Sequence, residues 1–378
     1  MSQEPFGDIP LFRELQRLLT SNQGPFNTEI ARQFAVSLAT QGMSEPGIDS
    51  TIKTRYATSV ESAYRMLSGY TRQVTDEPPV GEVISRTAWV DKTLDGWGWL
   101  AEAFSSRFKA IAEQRAGDAE EARSIEAAIA QIMPLMMGIQ VGSLIGNLAK
   151  DAMYRYELPI PRAGDDKLFI VESNLRSTAE AYDLALDDLV GWVALSDTGR
   201  HLILSANPWV SNYFRSALSE LISSIEIDVS DLERKMMDLQ SGAFEGLSEA
   251  QPPGLPVVQT PRHSAALDRL RAFFSVFEGY AGQASSAVAS EIIPSATRIE
   301  EGLARRALAS SEGQQALESV LGISLDRTIT TAGLTFCAAV VKMRGIATLN
   351  LVWEAPDNLP TVAEIKDPFA WMERVADG

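Results

Sequence analysis

Histidine and cysteine are scarce: the 378 residues include only His201, His263 and Cys337. A lone cysteine excludes a disulfide within the chain and fits a reducing compartment, so a cytoplasmic location is expected. Two histidines so far apart cannot supply a chelating pair one helical turn apart. Positive charge is short as well, with 33 Lys and Arg against 50 Asp and Glu, a formal charge of −17. That balance favours solubility and argues against nucleic acid as a partner, because phosphate binding needs concentrated Lys and Arg. Glycine-rich nucleotide loops and a G-x-S-x-G nucleophile turn are missing, so neither chemistry has a motif behind it. Met1–Gln16 carry no basic-then-apolar stretch, and no export signal is expected there.

One long uncharged run does occur, between Glu126 and Lys150. It is long enough to cross a bilayer, and Gly138, Gly142 and Gly146 form a ladder that lets helices approach closely. Gln131, Pro134, Gln140, Ser143 and Asn147 interrupt it, and basic flanks are lacking. The expectation is a fully buried helix with its glycine edge against another element, and no membrane partner.

What is present is ample apolar material, 45% of residues, enough for a large core and more than one structural unit. Residues 1–122 read as an N-terminal helical region. PLFRELQRLLTS has helical spacing, the segment 26–42 opens with an Asn27 cap and ends at Gly42, and a third helix spans about Thr51 to Gly69. Pro78-Pro79 marks a break, and Trp89, Trp97 and Trp99 are expected as core anchors. Residues 114–123 read as a charged helix surface or connector.

Residues 123–378 read as the main core. Lys167–Glu172 is the clearest strand, after an extended Leu158–Pro161 run and a turn at Gly164. A helix over 187–205 follows, with Leu189, Trp192, Val193, Leu195 and Leu202 on its buried face, and Asn207-Pro208 ends it. Further on, 230–240 reads as a polar helix and 241–262 as a proline-rich loop. His263 then opens a helix with Leu267, Leu270, Phe273, Phe274 and Phe277 inward. Helices near 295–310 and 314–321, a buried GLTFCAAVVKMRG segment and an ordered aromatic tail complete the chain.

The middle of the 187–205 helix reads Ser196-Asp197-Thr198-Gly199-Arg200. A zinc peptidase carries His-Glu-x-x-His on such a helix, because positions i and i+4 share a face and hold one metal. Here all three of those positions differ. Asp197 and His201 are also four apart and share a face, but that face lies about 100° round the helix from Arg200.

The ordered set PLFREL, GIQVGSLIG, YELPIPR, the strand before Asn174, WVAL, Phe277-Glu278-Gly279 and VWEAPDNLPT resembles one bacterial zincin-like family of unknown function. Its members are labelled candidate hydrolases or linked to deazaflavin-coenzyme biosynthesis. The resemblance spans nearly the whole chain and implies a mostly helical α+β fold, with a zincin-like core and a small sheet. It also implies zinc, held by HExxH directly after WVAL and by the glutamate of a downstream E-G-x-x-D. Residue by residue, the first histidine falls on Ser196, the glutamate on Asp197, the second histidine on Arg200 and the downstream glutamate on Glu278. The downstream aspartate falls on Gly282. Only Glu278 agrees, so no zinc or other cofactor is expected.

Three readings follow. The first is a catalytically inactive zincin-fold homologue that binds a peptide, small molecule or protein in the inherited cleft. The second is a hydrolase with a rearranged site, whose metal set would be Asp197, His201 and Glu278. The third is a membrane-associated protein using residues 127–149. If the fold is kept, Arg200 and Glu278 either converge or go their own ways, Arg200 to solvent and Glu278 to a local partner.

Overall fold

The computed structural model describes residues 26–113, 120–164, 167–226, 258, 260–309, 311–321 and 327–377. The segments 10–21, 230–240 and most of 114–123 and 241–262, read above as helices, connector and loop, lie outside them. In chain order come α1 (Thr28–Thr40), α2 (Ser50–Thr71), β1 (Gly81–Ile84), α3 (Arg86–Gly96), α4 (Gly98–Glu113) and α5 (Glu120–Asp151). Next are β2 (Leu168–Val171), α6 (Glu172–Ala181), α7 (Leu186–Ala206), α8 (Pro208–Ser223) and α9 (Pro261–Ile292). The chain continues with α10 (Ala296–Leu308), α11 (Glu312–Leu321), α12 (Arg327–Arg344), α13 (Ile346–Asn350), α14 (Val362–Lys366) and α15 (Pro368–Val375). The class is α+β, mostly helical. Chain contacts divide it into two units, one from residues 1–45 and 86–151, the other from 46–85 and 152–378.

In the first unit, Asn27 caps α1 by accepting the Ile30 N–H at 3.0 Å, which satisfies one of the helix's unpaired donors. Ala31, Ala35 and Ala39 form its fully buried stripe. They meet the glycine edge of α5 backbone to backbone. A Cβ placed on Gly138, Gly142 or Gly146 would lie 2.8, 2.5 or 2.8 Å from the carbonyl oxygens of Asn27, Ala31 and Ala35. The glycine contact is as expected, but the helix is not buried all round. Gln140 is exposed, so from Gly138 on α5 hides one side rather than its whole circumference. No helix among the described residues is long and apolar enough to cross a membrane. Trp89 and Trp97 pack edge to face in this unit's core, whereas Trp99 is half-buried.

In the second unit, β1 and β2 pair in parallel, Gly81 opposite Leu168 through Ile84 opposite Val171. All four residues of β2 are buried, as a strand covered on both faces requires. The sequence reading missed β1, whose four residues after Pro78-Pro79 are too few to show a period. The helix expected over 187–205 runs Leu186–Ala206. Beside it α9 is crossed by α12 at very close range: a Cβ on Gly333 would sit 1.7 Å from the Ser275 carbonyl oxygen. No side chain fits there, so α12 fixes the height of α9 at Gly279, next to Glu278. The tail is ordered, with Trp353 and Trp371 buried. Tyr280 donates to Asn350 at 2.7 Å, and Asn350 donates to the Thr71 carbonyl at 2.7 Å, tying the tail to α2. Cys337 is fully buried in α12, and burial pushes its thiol pKa well up.

Candidate functional site

The α7 helix presents two polar stripes inside the second unit, Ser196 with Arg200, and Asp197 with His201. All four residues are buried, which is unusual for groups that cost free energy to desolvate. Each stripe has its own partners.

Arg200 and Glu278 converge. Arg200 Nε donates to Glu278 Oε1 at 3.0 Å and Nη2 to Oε2 at 2.6 Å, a two-pronged pair. The third nitrogen, Nη1, donates to the Ser196 hydroxyl at 2.6 Å and the Ser196 carbonyl at 2.8 Å. The guanidinium carbon also lies 6.0 Å from the Tyr154 ring centre. Burial pulls the Arg200 pKa down, but the Glu278 carboxylate outweighs it and holds the guanidinium above its ordinary value. Planar fork meets planar carboxylate here, a match that lysine could not make. The side chains are only 10% and 14% exposed, so neither charge would be well hydrated alone.

Asp197 faces another way. Its carboxylate accepts the Tyr156 N–H at 2.9 Å and the Tyr56 hydroxyl at 3.3 Å. Burial raises its pKa to about 7, against the lowering by the Tyr156 N–H, Arg155, Arg200 and the Tyr56 hydroxyl. The Tyr56 hydroxyl is in turn held well above its usual range by burial and by Asp197. One turn on, His201 Nδ1 lies 3.4 Å from the Tyr156 hydroxyl and Nε2 lies 3.1 Å from Ser205 Oγ. Arg155 stacks on Tyr156 and, with Arg162, on Phe169. Burial, with Arg155 adding to it, lowers the Arg162 pKa to about 9.

The structure therefore joins Arg200, Ser196 and Glu278, and separately joins Asp197 and His201 through Tyr156. Among the described residues, no three His, Cys, Asp or Glu side chains gather where they could hold a metal ion. His263 sits in the first turn of α9, roughly 22 Å along the helix from Glu278 near its middle. It is buried and lies 3.0 Å from Ser224 Oγ. The sequence reading missed Tyr56, Tyr154, Tyr156, Arg155 and Arg162. For Tyr154, Arg155 and Tyr156 the local signal is their alternation, and Tyr56 and Arg162 carry none.

A family profile described as zincin-like metallopeptidase matches residues 26–372. Among solved structures, the chain is similar to a candidate hydrolase with a novel fold from Chloroflexus aurantiacus. Identity is 24% and the TM-score 0.68, over 93% of this chain and 99% of the other. No curated protein gives a significant match. The zinc that such a profile implies does not fit the residues on α7. Arg200 has no lone pair to give and brings a fixed positive charge, and its nitrogens already fill the space between Ser196 and Glu278.

Proposed function

Because the chain belongs to the zincin-like metallopeptidase family, we propose that it keeps the scaffold of that family while an Arg200–Glu278–Ser196 cluster takes the place of the metal. On this proposal the HExxH motif is degenerate. The protein acts in the cytoplasm by binding a peptide, small molecule or protein, without zinc-dependent hydrolysis. The observation that carries it is the two-pronged Arg200–Glu278 pair. Glu278 is the one position that agrees with the family's ligand set, and here its carboxylate is neutralised by a protein cation. A buried pair with good geometry and further hydrogen bonds is self-sufficient, whereas a lone buried carboxylate is costly.

A second reading, a hydrolase with a rearranged site, draws on Asp197. A buried carboxyl with a pKa of about 7 is matched to proton transfer near neutral pH. Plasma emission spectroscopy on the full chain, purified after growth with added zinc, separates the two. The expected outcome is far less than one zinc per chain and no chelator-sensitive peptide cleavage. About one zinc per chain, lost in Asp197→Ala or His201→Ala, would overturn the binding reading and favour the rearranged hydrolase.

A further inference from the structure

We propose that the groove between the outer face of α2, the first half of α7 and the end of α9 binds an extended, uncharged peptide segment through its backbone amides. The proposal rests on the binding reading above and names its ligand class, at a place distinct from Arg200 and Glu278. The groove holds about 650 Å³ and is lined wholly by second-unit residues. That volume is in the range of small-ligand sites.

Along one wall Ser50, Thr54, Thr58 and Ser62 follow one another at successive turns of α2. The stripe is about 18 Å long, the span of roughly five extended residues. Met66 ends the stripe one turn further on, and the opposite side is apolar, with Leu195 and Ile293. The hydroxyl protons of the wall are partly committed. Thr54 Oγ1 donates to the Ser50 carbonyl at 3.2 Å, and Thr58 Oγ1 donates to the Thr54 carbonyl at 3.0 Å. These two oxygens therefore keep lone pairs free to accept, and the middle of the wall asks for N–H donors. An extended peptide offers such donors along its edge, while its alternate side chains turn to one face, here toward the apolar floor.

Charge settles the remaining choice. Arg55 is the single charged side chain lining the groove, and it is already paired with Asp187. In a chain of net charge −17, this surface offers no free counter-charge to an acidic or a basic ligand.

The probe is a dye-labelled, end-blocked pentapeptide, Ser-Val-Ser-Leu-Ser, followed by fluorescence anisotropy with the full chain. Gly191→Leu fills the groove, since a Cβ at Gly191 meets nothing nearer than Ile293 Cδ1 at 3.6 Å. The double variant Thr54→Val with Thr58→Val removes the two central acceptors from exposed positions and leaves the core untouched. Expected results are saturable binding, its loss in Gly191→Leu, and about tenfold weakening in the double valine variant. The same peptide N-methylated on alternate amides is expected to bind at least about tenfold more weakly, by the same arithmetic. Absence of binding, binding unchanged by Gly191→Leu, or equal binding of the N-methylated peptide would each overturn the proposal. Zinc content is measured separately, so a zinc-loaded enzyme would sink the binding reading without being confused with an empty groove.

Discussion

At the scale of single residues, Asp197 controls the sharpest pH dependence. Its pKa is about 7 in the folded chain and about 3.9 when unfolded, by the reference value for a free aspartate. Between those values the folded chain holds a proton that the unfolded chain has released. Its contribution to stability is therefore complete below about pH 4, declines as pH rises, and is gone above about pH 7. A shift of that size corresponds to roughly 4 kcal/mol as an upper limit. Asp197→Asn keeps the shape, removes the titration and can still accept the Tyr156 N–H. Urea unfolding at pH 5, 6.5 and 8 should show the variant gaining on the wild type as pH rises. Parallel curves at all three pH values would mean that Asp197 does not titrate in this window. Residues at this scale were legible only in part. Arg200 and Glu278 stood out through the family resemblance, while nothing in the chain linked Asp197 to Tyr56, a partner 141 residues away.

At the scale of elements, close approach is the recurring device. The cap of α1 and the inward residues of α9 were readable because periodicity and capping are local. The α7 helix was expected to bury one face, yet Val193–Ile203 are buried all round while Trp192 is half-buried, and α9 opens at Pro261 under a Thr260 cap rather than at His263. The glycine spacing likewise announced a contact, although it did not say that Ala31 and Ala35 would form the other side. The β1 strand and the α9–α12 crossing were not readable. One is too short for a pattern, and the other depends on Gly333 meeting Ser275 across a long stretch of chain. Gly142→Ala should test the α1–α5 contact, because its new Cβ would lie 2.5 Å from a backbone oxygen that cannot move aside cheaply. A loss of about 1–3 kcal/mol is expected. Gly98→Ala in the same unit, where a Cβ meets nothing within 4 Å, should be neutral or slightly stabilising. Equal midpoints for the two variants in thermal unfolding would rule out a tight contact at Gly142.

At the scale of the whole molecule, the mostly helical α+β class was expected from the order of strand and helix together with the family resemblance, not from composition alone. The composition hides one further consequence. Cys337 is the lone thiol of the chain. It is enclosed in α12 with no exposed surface, and its ionisation is suppressed by that enclosure. Thiolate, the reactive form, needs both deprotonation and access. A disulfide dye such as dithionitrobenzoate should therefore leave the native protein unmarked and react once per chain in denaturant. In buffer without denaturant, the rate of colour release should follow the opening of the core around α12. Immediate stoichiometric reaction with the native protein would contradict this. A slow, single-step reaction would make the lone sulfur a clock, installed by the sequence itself, that ticks once each time the molecule comes apart.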